Sequence, residues 1–169
     1  MQELSNKIIS MDEMAVIIEE QLGSGGSVKF TPKGISMLPM LRNNQDVVVL
    51  RKPEGKLKKY DIPLYQRNNG SYVLHRVIKV NSDGSYVMCG DNQTIKENGI
   101  TDDNIIGVVE SFERKGKFYT CNNFRYKIYC RVWVFLRPLR RKLVMVRRLL
   151  GRVKRKVKTL ILVKGKNER

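Results

Sequence analysis

Ile62-Pro63-Leu64-Tyr65-Gln66-Arg67-Asn68-Asn69-Gly70-Ser71-Tyr72-Val73-Leu74-His75-Arg76-Val77-Ile78-Lys79-Val80 decides the fold. Residues 62–67 and 71–80 are rich in aromatic and β-branched side chains, and they flank Asn68-Asn69-Gly70. Asn and Gly tolerate the positive φ that a tight hairpin turn needs, so the stretch predicts two antiparallel strands. The same pattern extends in both directions. Val47-Val48-Val49-Leu50, within Asp46 to Arg51, suits a buried strand, and Ser27 to Thr31 predicts another ahead of it. Downstream, Asn81-Ser82-Asp83-Gly84 turns the chain into Ser85 to Cys89. Residues 90–104 read as an irregular loop. Ile105 to Phe112 then resumes strand character, and Lys115-Gly116-Lys117 turns into Phe118 to Thr120. Short strands joined by short turns predict a mainly β domain.

Both ends read as helix. Ser10-Met11-Asp12-Glu13 has the form of a capping box, and Met14, Ile17, Ile18 and Leu22 follow at helical spacing up to Gly23. From about Asn123 the pattern is helical again, and Pro138 predicts a break near Arg137. Beyond it Leu139, Leu143, Val146, Leu150, Val153, Val157 and Leu160 recur at steps of four and three, with Lys and Arg between them. The expected division is residues 1–26 as an N-terminal helix and turn, 27–122 as the β domain, and 123–169 as a basic amphipathic helical tail.

The charge distribution supports that division. The chain of 169 residues carries a net charge of +17. Residues 1–124 are nearly balanced, with 16 Lys and Arg against 15 Asp and Glu, whereas residues 125–169 hold 17 Lys and Arg against Glu168 alone. A tail of this kind is built for an anionic partner. Hydrophobic content of 41% argues against a disordered chain. No run reaches the ~18 apolar residues of a membrane span, and the N-terminus lacks a secretory signal, which predicts a cytoplasmic protein peripheral to the membrane. Cys89, Cys121 and Cys130 have no metal-ligand spacing and are expected as free thiols. No cofactor or metal is expected.

The candidate chemistry lies in three places. Ser36 stands in Gly34-Ile35-Ser36-Met37-Leu38-Pro39-Met40-Leu41, a glycine-entered apolar turn that excludes water from a developing oxyanion, with the Ser36 amide as a candidate donor. The chain's only histidine, His75, suits a general base because an unperturbed imidazole is largely neutral at pH 7. On an alternating strand it would share a face with Val73 and Val77, opposite Leu74 and Arg76. Asp91, in Cys89-Gly90-Asp91-Asn92, is the candidate for orienting the imidazole, with Glu97, Asp102 and Asp103 as competitors. Hydroxyl, imidazole and carboxylate together are the parts of an activated serine nucleophile. Each also has an ordinary structural use, as a turn serine, a core histidine or an Asx turn.

Ser36-Met37-Leu38-Pro39, Leu74-His75-Arg76-Val77, Gly90-Asp91-Asn92 and Ile106-Gly107-Val108-Val109, in that order and spacing, resemble the type I signal peptidase superfamily, to which self-cleaving repressors also belong. Many members pair serine with a lysine base. Histidine followed by arginine resembles the branch typified by endoplasmic-reticulum signal peptidases. The resemblance spans about residues 28–110. It implies a β-sheet catalytic domain, a serine endopeptidase acting through an acyl-enzyme, Ser36 as nucleophile, His75 as base and Asp91 on the acidic Gly-Asp motif, with Glu97 near the place of a second acid. It also implies a leader or signal-like peptide as substrate. Where signal peptidases carry an N-terminal apolar anchor and the repressors a DNA-binding domain, this sequence predicts instead a capped, soluble-looking helix in the about 27 residues before the first strand. The alternative is a catalytically inactive scaffold of this type, acting as a basic membrane- or nucleic-acid-binding protein. For the tail, a basic helix with a continuous apolar stripe predicts an anionic membrane surface through residues 125–163, ahead of nucleic acid.

Overall fold

The computed structural model describes residues 11–140 and Lys142. Helix α1 (Met11–Gly23) opens the described chain, with Asp12 and Glu13 in its first turn, where the helix dipole favours negative charge. It ends at Gly23, and the amides of Ser24, Gly25 and Gly26 close on the carbonyls of Glu20, Leu22 and Gln21. Ser10, the expected cap, lies outside the described residues. Among the described residues nine strands follow: β1 (Val28–Phe30), β2 (Val47–Arg51), β3 (Pro63–Gln66), β4 (Tyr72–Leu74), β5 (Arg76–Val80), β6 (Tyr86–Cys89), β7 (Glu97–Ile100), β8 (Ile105–Arg114) and β9 (Lys117–Thr120). Helix α2 (Phe124–Phe135) comes last, and a turn at Leu136 interrupts the helical run before Pro138, close to the expected break. The hydrophobic stripe from Leu143 to Leu160 lies outside the described residues.

The fold is mainly β, built from two antiparallel sheets. The first has the order β1-β2-β8-β3-β4, with β9 also on β8; the second is β5-β6-β7. Strand β8 is the spine. It pairs with β2 over Val108 to Glu113, while β3 and β9 take successive halves of its other edge. The Asn-Asn-Gly hairpin forms as expected, with Leu64 opposite Leu74 and Gln66 opposite Tyr72.

Two expectations fail, for one reason each. Residues 71–80 are not one alternating strand. The chain leaves the first sheet after Leu74 and enters the second at Arg76, with His75 between them. Leu74, His75, Arg76 and Val77 are all buried, because at a crossing between sheets both faces of the backbone are covered. Nor is all of 90–104 irregular. β7 pairs with β6 at Tyr86–Ile100 and Met88–Glu97, although Asn98 and Gly99 are exposed and give the sequence no apolar alternation.

The first sheet carries core on both faces. On one, Leu50, Leu64, Val109 and Phe112 pack with Ala15, Ile18 and Leu22 of α1, with Met37, Met40 and Leu41, and with Tyr126 and Cys130 of α2. On the other, Tyr65 and Val108 pack with Val77, Tyr86 and Met88 of the second sheet. At about 1.5–3 kcal/mol per fully buried large aliphatic side chain, Ile18 and Leu22 suffice to seat α1, which belongs to this core rather than to a separate segment. One compact unit ends at Arg131 and a second begins at Val132. The boundary falls later than residue 123 because the first turns of α2 bury Tyr126 and Cys130. Within the second unit, Arg140 stacks on the Trp133 ring at 3.5 Å.

Candidate functional site

The Ser36 turn is held open by its neighbours. Gly34 sits at φ +115°, a region a β-carbon disfavours, and its amide donates to Asn43 Oδ1 at 2.6 Å. Met37, Met40 and Leu41 are buried beneath the turn, while Ile35 is exposed above it. The Leu38–Pro39 peptide is cis. The far end is closed by Asp46, fully buried, which accepts from the Arg42 amide at 2.7 Å and from its guanidinium. Burial pushes the Asp46 carboxyl up, but its bonds to Arg42 prevail and hold it below the ordinary range. Ser36 is half-buried. Its amide donates no hydrogen bond among the described residues, which leaves that N–H available.

His75, 1% exposed, is oriented by a carboxylate, and the carboxylate is Glu97. His75 Nδ1 lies 3.0 Å from Glu97 Oε1 and 3.2 Å from Tyr65 Oη. The Tyr65 hydroxyl donates to Glu97 Oε2 at 2.9 Å, and Arg67 grips both carboxylate oxygens, at 2.7 and 2.5 Å. Burial and the adjacent carboxylate push the Tyr65 phenol up, so it stays a donor. Burial likewise pushes Glu97 up, but Arg67 and Tyr65 outweigh it and keep the group ionised. An ionised carboxylate at Nδ1 assigns the ring proton to that nitrogen and leaves Nε2 with its lone pair. Desolvation lowers the His75 pKa below 6.5; Glu97 opposes this and the Arg67 charge adds to it. The imidazole is neutral at pH 7, as a base must be.

Asp91, the expected orienting acid, does other work. Its carboxylate is taken by Arg76, the residue after His75, through Nε at 2.8 Å and an η nitrogen at 2.7 Å. Arg76 is fully buried and spends its remaining donors on the Tyr60 carbonyl, Tyr126 Oη, Cys130 Sγ and Met40 Sδ. Burial opposes the charge, but Asp91 above all, with Tyr126 and Cys130, raises the Arg76 pKa well above its usual value, so it stays charged. Asp91 is therefore the counter-ion of a buried arginine. Asp102 accepts from the Tyr86 hydroxyl and Asp103 is exposed; Glu97 is the carboxylate in contact with the imidazole, and the Asp91 charge acts on it more weakly.

The Arg76–Asp91 pair also places the serine. The next amide, Asn92 N–H, donates to the Ser36 carbonyl at 2.8 Å, and Asn92 Nδ2 to the Ile35 carbonyl at 3.2 Å. A β-carbon on Gly90 would lie 2.7 Å from that Ser36 carbonyl, so only glycine lets the loops approach. Ser36, Asp91 and the His75-Arg76 pair are thus brought into one assembly. Among the described residues, however, no hydrogen bond joins the Ser36 hydroxyl to His75. Sequence reading did not find Tyr65 or Arg67 as clamps on Glu97, nor Tyr126 and Cys130 as partners of Arg76. Their only signal is polar or titratable character at positions that the strand and helix patterns bury. Among the described residues no cluster of His, Cys, Asp and Glu suits a metal, and no helix is long and apolar enough to cross a membrane. Compared with known proteins, the chain matches no family model and no curated sequence.

Proposed function

We propose that this protein is a serine endopeptidase of the type I signal peptidase kind, which cleaves a leader or signal-like peptide. Ser36 attacks the scissile carbonyl, His75 Nε2 takes its proton, and Glu97 holds the ring and stabilises the imidazolium. The Ser36 amide stabilises the oxyanion; as the scissile C–N bond breaks, His75 gives its proton to the departing amine, and water, deprotonated by the again neutral His75, then hydrolyses the acyl-enzyme and frees Ser36. The observation that carries this reading is the state of His75: buried, neutral, and held at Nδ1 by an ionised carboxylate, so that Nε2 remains basic. Catalytic hydrogen bonds are often long without substrate and tighten when it binds, which suits a Ser36 hydroxyl not yet on the imidazole.

The substrate class comes from the resemblance. Attachment to an anionic membrane through residues 125–163 has support in the apolar side chains exposed along α2, Phe124, Ile128, Val132 and Phe135, beside Arg125, Lys127 and Arg131. The absent Ser36–His75 bond favours one second reading, an inactive scaffold that binds membrane or nucleic acid. A proteome-derived peptide library incubated with the full chain, with products identified by mass spectrometry, separates the two. The proposal expects new termini that disappear with Ser36→Ala and with His75→Ala, both variants keeping the native far-ultraviolet spectrum. No cleavage by the wild type, or cleavage that survives Ser36→Ala, contradicts it.

A further inference from the structure

Away from the Ser36 turn, a cleft of about 440 Å³ opens between the segment before β3, strand β8 and the start of α2. Its cations are Arg51, Lys56, Lys58, Lys59, Lys127 and Arg131. Three carboxylates also line it, and two of them are engaged: Glu54 pairs with Arg51 at 3.1 Å, and Asp61 accepts the Lys58 amide at 2.7 Å. Burial also pushes the Asp61 carboxyl up, towards its neutral form. None of Lys56, Lys58, Lys59, Lys127 and Arg131 is in an ion pair among the described residues. The cleft therefore has a surplus of positive charge in a concave, half-enclosed space, where low-dielectric walls focus the field.

Its floor is built rather than incidental. Tyr60 lies at φ +86°, a strained setting for an aromatic residue, and is pinned there by its amide on the Val77 carbonyl at 2.8 Å and by Arg76 on its own carbonyl at 3.1 Å. Tyr126 and Cys130, also on the floor, hold the same guanidinium. The rim has a second character. On α2, Phe124 and Ile128 stand one helical ridge from Lys127 and Arg131, and are 73% and 44% exposed.

We propose that this cleft is a binding site for the phosphate headgroup of an anionic phospholipid, with the acyl chains leaving over Phe124 and Ile128. The ammonium and guanidinium groups meet the phosphate, and the apolar ridge meets the first methylenes. A free phosphate ligand has no use for that ridge, which is why the lipid is favoured. The site shares Phe124, Lys127, Ile128 and Arg131 with the start of the basic tail and deepens the membrane reading of it, while it is independent of the peptidase reading, since its test reads no cleavage.

The experiment is an amide-nitrogen NMR titration of the full chain with dihexanoyl phosphatidylglycerol below its micelle concentration. The proposal expects saturable shifts at Gly55, Lys58, Asn122 and Lys127. Binding is expected to weaken at least tenfold with dihexanoyl phosphatidylcholine, with inorganic phosphate, and in the Lys56→Glu, Lys127→Glu double variant of two exposed lysines. Ile128→Ser is expected to weaken the lipid and leave inorganic phosphate unchanged. Shifts confined to residues 132–169, affinity unchanged in the double variant, phosphate binding as tightly as the lipid, or displacement of the lipid by a short oligonucleotide at lower concentration would each overturn the assignment.

Discussion

His75 and Arg76 are adjacent in the chain and each meets a carboxylate, yet the two carboxylates are put to opposite uses. At Arg76 the pair is sealed: the arginine is 0% exposed, and Asp91 matches it with two short bonds. At His75 the carboxylate is shared. Glu97 answers Arg67, which is partly open to solvent, and a buried tyrosine before it reaches the imidazole. The first arrangement fixes loops, because breaking either half leaves a buried charge unpaired. The second fixes a tautomer, because the ring needs only one acceptor at Nδ1. Spacing in sequence cannot separate the two, since both acids follow the histidine within a similar interval.

Removing the carboxylate at the imidazole should have the largest effect on chemistry. Glu97→Gln is expected to lower kcat by about 10²–10⁴, as loss of the orienting acid does in triads, while costing only about 1–2 kcal/mol of stability. Kinetics set beside denaturant unfolding would check it. Asp91→Ala should do the reverse. With Arg76 left unpaired in the core, the fold should lose about 3–5 kcal/mol, which urea midpoints would measure. If Asp91→Ala unfolds no more readily than Glu97→Gln, the contrast between the two pairs is wrong.

The strands were legible because their chemistry is local. Val47 to Leu50, the Asn-Asn-Gly hairpin and Ile105 to Phe112 carry their own propensity and turn signals, and each formed within a residue or two of its expected place. The crossing at His75 was not legible. Nothing between Tyr72 and Val80 marks the point where the chain changes sheets, since both halves are β-prone and the change is decided by which neighbours cover them. Glu97 stood among the candidate acids, but its choice over Asp91 was not legible, for a related reason. Glu97 reaches His75 only because β7 pairs with β6, and Glu97-Asn98-Gly99-Ile100 has no strand pattern. Ser36, His75 and Arg76 stood out through motif order, whereas Tyr65 and Arg67 look like ordinary hairpin residues until the second sheet is in place.

Two smaller effects sharpen the contrast. Gly90→Ala puts a methyl 2.7 Å from the Ser36 carbonyl, and backbone is slow to yield. The expected cost is about 1–3 kcal/mol, with loss of cleavage larger than the stability change alone would give; unfolding and peptide assays on one preparation would show it. The smallest effect is on pH. Folding lowers the His75 pKa, so the unfolded chain binds the proton more readily. Stability is then full above about pH 6.5, the unfolded value, and declines as pH falls from there to the lower folded value. Glu97 is also lowered, so its contribution, present above the ordinary carboxyl range, fades at more acid pH. Calorimetry from pH 7.5 to 4 should show both declines, with the first flattened in His75→Gln. A chain whose stability rises on acidification through 6.5 would reverse the sign.

Because the chain contains one histidine, its imidazole nitrogens can be read by NMR without assignment. At pH 7.5 the Glu97 geometry requires a neutral ring with the proton on Nδ1, and burial, which outweighs Glu97, a titration midpoint below 6.5. A ring protonated on Nε2 would leave Ser36 without a base and contradict the proposed chemistry at its root, whereas a midpoint above 6.5 would overturn only the expected pH dependence of stability.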